Sequence, residues 1–245
     1  MKILMSNDDG VFAKGLAVLH DIVAREHDVT VVAPDRNCSG ASNALSLHQP
    51  LRVQTMDSGY YSVSGTPSDC VHLGLSRILE NDPELVVSGI NHGANLGDDV
   101  LYSGTVGAAM GGRFHPFPSI AISITNLKPV YLSTAVEVLR EIIDKKLDGL
   151  PNPSSILNVN VPDIPIDEIQ GYSLTRLGRR ELPENDRINT DAYGNEIHWV
   201  GPPPEPVLGD EGTDFDAISK NRVSITPLKT DFTDFKSMEA LKDWL

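Results

Sequence analysis

The chain of 245 residues has only two cysteines, Cys38 and Cys70. That is too few for a disulfide framework. It also lacks basic charge: 20 lysines and arginines stand against 34 acids, for a formal net charge of −14. No local basic cluster offsets this, so a nucleic-acid polymer or an anionic membrane is a poor partner. A small anion remains compatible, provided a metal or a helix N-terminus supplies local positive potential. No apolar run approaches the length of a membrane span. The opening MKIL reads as a strand and lacks the order of a signal peptide. These absences predict a cytoplasmic globular protein, and 40% hydrophobic with 22% charged residues is ordinary for one. The length suits one large domain, or one domain with a smaller appendage.

What is present is a strand–helix alternation. Ile3 to Met5 is a short apolar run ended by turn residues, Leu16, Leu19, Ile22 and Val23 fall at helical spacing, and Val29 to Ala33 is β-branched up to Pro34. Strand, helix, strand in so few residues implies a parallel sheet with right-handed crossovers. Residues 35–50 read as a long loop. Thr66-Pro67-Ser68-Asp69 is a helix start, with Thr66 as cap and Asp69 at the capping-box offset. Leu85 to Ser88 reads as a buried strand ending at Gly89, followed by a glycine-rich loop and a helix around 105–114. Ser119 to Ile124 and Leu157 to Val161 read as strands. Residues 131–147 read as a helix with Val136, Leu139, Ile142 and Ile143 inward. From about 170 to 208 alternating strand signals, the turn Ala192-Tyr193-Gly194-Asn195 and Pro202-Pro203-Pro204 suggest an antiparallel arm. Residues 236–245 read as a short terminal helix with Met238, Leu241, Trp244 and Leu245 on one face. So short a segment is not stable alone, and it packs either on its own domain or on a partner chain.

Ligands of open parallel sheets bind beyond the carboxyl ends of the strands. Four polar clusters fall there: Asn7-Asp8-Asp9-Gly10, Asp35 to Ser42, Gly65-Thr66-Pro67 and Ser88-Gly89-Ile90-Asn91. Two adjacent carboxylates at an apolar sheet edge are costly unless a cation compensates. Asp8 and Asp9 therefore read as ligands of a hard divalent cation, Mg²⁺ or Mn²⁺, which prefers oxygen donors. The plainer alternative is that Asp8 caps the next helix and Asp9 is solvated. Ser39 and Asn91 are neutral oxygen donors on loops that reach the same edge, and the absence of Cys or His donors argues against zinc. Ser103-Gly104-Thr105 opens a helix of small residues and can bind phosphate through free N–H groups. Asn95 can add an amide donor. Asp98 and Asp99 read as caps or solvated acids, and His92 either as an acid/base placed by its location or, the commoner case for a lone loop histidine, as structural.

A cation and a helix N-terminus on one edge suggest phosphoryl chemistry. The contiguous acids do not match the D-x-D spacing of haloacid-dehalogenase phosphatases. No G-x-G-x-x-G follows the first strand and no G-x-x-x-x-G-K-[ST] occurs, which weighs against dinucleotide and nucleoside-triphosphatase readings.

The segments SNDDG (6–10), APDRNCSG (33–40), GTPSDCV (65–71), SGINHGANLGDD (88–99), YSGTVGAA (102–109), GTDFDA (212–217) and ITPL-x-x-D-x-T (225–233) together resemble the SurE family of metal-dependent 5′/3′-nucleotidases. The resemblance runs nearly end to end. It implies an α/β fold: a Rossmann-like, mostly parallel, three-layer sheet over 1–165. It also implies an antiparallel oligomerisation arm and terminal helix over 166–245, with 210–230 returning to the core. It implies hydrolysis of nucleoside 5′- and 3′-monophosphates, polyphosphatase activity in some members, and a homodimer or homotetramer formed by exchange of the arm and terminal helix. Residue by residue, it implies one divalent cation per subunit on Asp8, Asp9, Ser39 and Asn91, with Asp8 and Asp9 catalytic and phosphate on Asn95, Ser103, Gly104 and Thr105. The main local departure is Cys38, where members often carry a basic or polar residue. Water attack and a phosphorylated Asp8 stay open at this point, as does a non-catalytic nucleotide-binding module.

Overall fold

In the computed structural model of the chain, residues 1–144, 154–182, 187–200, 203–207, 210–242 and 244 are described. The elements in order are β1 (Lys2–Ser6), α1 (Lys14–Val23), β2 (Asp28–Pro34), β3 (Val53–Thr55), β4 (Tyr61–Val63), α2 (Pro67–Leu73), β5 (Leu85–His92), α3 (Gly104–Gly111), β6 (Ser119–Ile124), α4 (Leu132–Asp144), β7 (Ile156–Val161), β8 (Tyr172–Leu174), β9 (Arg187–Thr190), β10 (Glu196–Trp199), α5 (Asp214–Ser219), β11 (Val223–Leu228) and α6 (Phe235–Leu241). Nine strands form one sheet in the order β3-β4-β2-β1-β5-β6-β7-β11-β8. From β4 to β7 every pairing is parallel, while β3–β4 and β7–β11 are antiparallel.

Side-chain alternation along the strands sorts the core into layers. Ile3 and Met5 of β1 point to one face, where Leu16, Leu19 and Val23 of α1 and Leu132, Val136 and Leu139 of α4 cover them. Leu4 points to the other face with Val32, Val71 and Ala108, beneath α2 and α3. Covering both faces is what permits β5, β6 and β7 to be near-continuous apolar runs. The chain winds from β1 outward to β2, then crosses back to β5 on the other side of β1. The switch point between β1 and β5 is therefore where a crevice opens at the strands' carboxyl ends.

Several expectations are refined. The strand expected to end at Gly89 runs on to His92. Between Ser88 and Asn91 it advances three residues while β6 advances only two, from Ala121 to Ser123. Gly89 is thus the centre of a bulge: its φ is +139°, and a Cβ there would lie 2.3 Å from the Ile122 carbonyl oxygen. The expected arm is not wholly antiparallel. β8 joins the main sheet parallel to β11, while β9–β10 forms a separate antiparallel hairpin around the turn 191–195. The helix predicted over 131–147 is described over Leu132–Asp144, and 145–147 lie outside the described residues. The terminal helix is α6, exposed on Phe235, Met238 and Leu241, followed by exposed Trp244; Leu245 lies outside the described residues. Pro202 also lies outside them.

The α2 start forms as its sequence dictates. Thr66 accepts the Asp69 N–H (3.1 Å), and Asp69 accepts the Thr66 N–H (2.9 Å) and the Ser46 N–H (3.0 Å). Burial alone would raise the Asp69 carboxyl, but the bonds from Ser46 and Thr66 outweigh it and hold the carboxyl below its ordinary value. A carboxyl depressed in the folded state stabilises above its unfolded pKa of about 3.9, and that contribution is lost as pH falls below it. Asp69→Asn should therefore flatten the loss of stability from pH 5 to pH 3, measured by urea unfolding across that window.

Candidate active site

β1 carries the acid pair directly into the switch-point crevice. Asn7 donates to the Gly10 carbonyl (3.0 Å) and folds the Asn7–Gly10 turn on itself. Asp8 is only 4% exposed. Its backbone carbonyl accepts the Cys38 N–H (2.7 Å), which brings the loop after β2 over the end of β1. Its carboxylate faces the start of α3: Thr105 donates its hydroxyl to Asp8 Oδ1 at 2.6 Å. A Cβ on Gly104 would sit 2.8 Å from Asp8 Cβ and 3.0 Å from Oδ2. Only glycine lets the helix approach this closely. Burial pushes the Asp8 carboxyl above its ordinary value, the Thr105 hydroxyl draws it back, and the charge of Asp9 pushes it up again.

Asp9 accepts the Asn37 amide (3.3 Å) and, from the end of β5, the His92 N–H (3.3 Å). The same Asn37 accepts the Ser39 N–H at 2.8 Å. One asparagine therefore links Asp9 to Ser39. Asn91 lies just past the β5 bulge and donates its amide nitrogen to the Gly93 carbonyl (2.8 Å), which leaves its oxygen as the available atom. Among the described residues neither Asp8 nor Asp9 forms an ion pair, and no group of three or more His, Cys, Asp or Glu side chains gathers. Two carboxylates without a basic partner, flanked by neutral oxygens, fit a hard divalent cation better than a thiophilic one.

At the helix start Ser103 accepts the Val106 N–H at 3.1 Å. The first-turn amides have no intrahelical partner, so those of Gly104 and Thr105 are left at the Asp8 end. Asn95 is held from several sides. It is buried, its amide nitrogen donates to Ser123 Oγ (2.8 Å), its N–H donates to Asn160 (2.8 Å), and its carbonyl accepts from Asn158 and Asn160. Asp98 is exposed and accepts the Arg180 N–H (2.9 Å), whereas Asp99 is no solvated acid but pairs with the Arg180 guanidinium (2.5 and 2.8 Å). His92 Nε2 is buried, unpartnered, and faces Gly15. Burial raises the Cys38 thiol, and although Arg36 lowers it, Asp35 and Asp8 raise it further, so it is not an activated thiolate.

Sequence reasoning missed Asn37 as the link between Asp9 and Ser39. The signal was there: an Asn two residues before a Ser-Gly turn is an Asx-turn residue. It also gave no sign that the hydroxyl of Thr105, expected at the phosphate, reaches a carboxylate 97 residues away.

Fold and site define a doubly wound α/β protein whose switch-point crevice sets paired carboxylates against a helix N-terminus. The family model described as "Survival protein SurE" matches residues 3–184. The chain is 52% identical to a protein of Pseudoalteromonas atlantica named 5′-nucleotidase SurE, covering 100% of this chain and 99% of that one. The crystal structure of the SurE protein from Aquifex aeolicus superposes with a TM-score of 0.87 at 41% identity, covering 100% of this chain and 99% of that one. The chain belongs to the SurE family.

Thr105→Val keeps the shape of the side chain and removes the donor to Asp8. Because that bond lowers the Asp8 carboxyl, its loss should move the Asp8 titration upward in the metal-free protein. A carboxyl-carbon NMR titration of wild type and variant checks this; an unchanged Asp8 titration would contradict the placement.

Proposed function

We propose that the protein is a divalent-metal-dependent phosphomonoesterase that hydrolyses nucleoside monophosphates to nucleoside and phosphate. The observation that carries this reading is the contact of Gly104 and Thr105 with the buried Asp8, which sets a phosphate-binding helix start against an uncompensated acid pair. The named relative supports the substrate class. Asp8, Asp9, Ser39 and Asn91 would hold a Mg²⁺ or Mn²⁺ ion, one per subunit. When bound, such an ion supplies Lewis-acid polarisation of the phosphate and a nucleophile at neutral pH.

The chain's own residues do the rest. Thr105 orients Asp8, and Asn37 holds Asp9 and Ser39 in one arrangement. The amides at the start of α3 receive a phosphate oxygen and stabilise the charge that grows on it in the transition state. The Ser103 cap keeps that first turn in place. Asn95 would give its remaining amide N–H to a phosphate oxygen, while Asn158 and Asn160 hold the loop that leads into Ser103.

The same reading makes 1–165 the catalytic unit and 166–245 the arm of a homodimer or homotetramer in the cytoplasm. Exposed apolar side chains on and beside α6 support the assembly: Phe232, Phe235, Met238, Leu241 and Trp244 leave a contiguous stretch uncovered. No helix of the described residues is long and apolar enough to cross a membrane.

Phosphate release from nucleoside monophosphates should require added Mg²⁺ or Mn²⁺, vanish with EDTA, and fall by about 10²-fold or more in Asp9→Asn, in line with loss of a charge-stabilising group. Release that survives both treatments would leave a cap-and-solvent role for the acids. No release under any condition, with nucleotide still bound, would favour a binding module. Light scattering should give a mass above the 26.6 kDa monomer, reduced when Trp244 and Met238 become serine.

A further inference from the structure

The loop 93–103 joins the Asn91 end of β5 to the start of α3, so its position sets where the α3 amides stand relative to Asp8. From beneath, Ser123, Asn158 and Asn160 hold Asn95. From the side, a different group holds the loop. Asp214, 0% exposed at the first position of α5, turns its carboxylate to two other segments as well as to the first turn of its own helix. Its Oδ2 accepts the Gly97 N–H at 2.7 Å, and its Oδ1 accepts the Gly178 N–H at 2.8 Å and the Phe215 N–H at 3.0 Å.

Burial of a carboxylate is costly, and among the described residues Asp214 forms no ion pair; the charge of Arg176 reaches it without a direct contact. A capping role for α5 does not require that burial, because Thr213 already accepts the Asp216 N–H. The geometry around Asp214 is equally specific. Gly97 has φ +53°, and a Cβ there would lie 2.6 Å from the Phe215 ring and 2.9 Å from the Gly178 carbonyl. Arg180 ties the neighbouring turn to the same junction: it holds Asp98 and Asp99, and its guanidinium lies 5.1 Å from the centre of the Phe215 ring. Three segments far apart in sequence therefore meet on one carboxylate, six residues before the cap of α3.

We propose that Asp214 is a positioning residue of the phosphate site: by binding Gly97 and Gly178 together it fixes the 97–103 turn, and so holds the start of α3 against Asp8. This rests on the phosphomonoesterase reading only for its kinetic readout. Asp214→Asn keeps size and one acceptor oxygen, but sets an NH₂ donor against either the Gly97 or the Gly178 N–H. The loop then shifts, and a displacement of order 1 Å at such a site costs about 10²-fold in rate.

The test compares wild type, Asp214→Asn, Arg180→Gln and, as a destabilised control remote from the junction, Val23→Ala. Three quantities are read well below each melting temperature: kcat and KM for phosphate release, and affinity for inorganic phosphate by calorimetry with Mg²⁺ present. Asp214→Asn should lower kcat by about 10- to 100-fold and weaken phosphate several-fold. Arg180→Gln should do the same to a lesser degree, and Val23→Ala should lower the melting temperature alone. The sign for phosphate is diagnostic. Removing a negative charge favours an anion by Coulomb's law, so weaker binding reports displacement of the donors. Unchanged or tighter phosphate binding, with wild-type kcat, in a folded Asp214→Asn overturns the proposal. If that variant does not fold, the same result in Arg180→Gln overturns it. A wild-type protein that releases no phosphate overturns the nucleotidase reading instead, and Asp214 is then judged by phosphate affinity alone.

Discussion

The site depends on one interaction: a buried carboxylate, Asp8, facing the N-terminal turn of α3. A carboxylate with almost no exposure must be compensated. The described residues offer a hydroxyl from Thr105 and the positive end of a helix, but no basic side chain. That partial compensation is what makes the crevice receptive to a cation and a phosphate together. A lysine in the same place would satisfy Asp8 and leave nothing to bind. The small residues of α3 follow from the same demand, because the helix must lie within contact of Asp8 at Gly104 and of the Ser42 carbonyl at Gly107.

The sheet supplies the register for this contact. Ser6 pairs with Ser88 across β1 and β5, so the two chains leave the sheet side by side at the switch point. The bulge at Gly89 then carries β5 past its neighbour and delivers Asn91 to the same edge. Without it, a strand advancing one for one with β6 would turn every later side chain to the opposite face. Behind this edge lies a layer of buried amides and hydroxyls on β6 and β7. They satisfy the backbone of the 93–97 loop where no regular ladder reaches it. The C-terminal segment completes the support through Asp214 and Arg180.

Much of the central fold was legible beforehand. The apolar runs of β1, β2, β6 and β7, the amphipathic α1 and α4, and the Thr66 start of α2 follow from local rules of period and capping that depend on few residues at a time. Gly89 misled because a glycine after an apolar run reads equally as an end or a bulge, and only the neighbouring strand distinguishes them. β8 misled for a related reason: three residues cannot declare whether they run parallel or antiparallel to a strand fifty residues later. At the site, the acid pair and the small-residue helix were visible as types. Asn37 was overlooked because its value lies in what it joins.

By itself, then, the sequence determined the alternation of strands and helices, the net acidity, and the placement of acids, amides and glycines at strand ends. Those are properties of neighbouring residues, and short-range physics is enough to read them. Tertiary structure alone decided that Thr105 meets Asp8, that Asn95 turns inward to Ser123, and that Asp214 binds Gly97 across more than a hundred residues. A hydrogen bond of this kind leaves no periodic trace. It exists only once the sheet order has brought distant segments to one edge, and its partners are chosen by burial and distance.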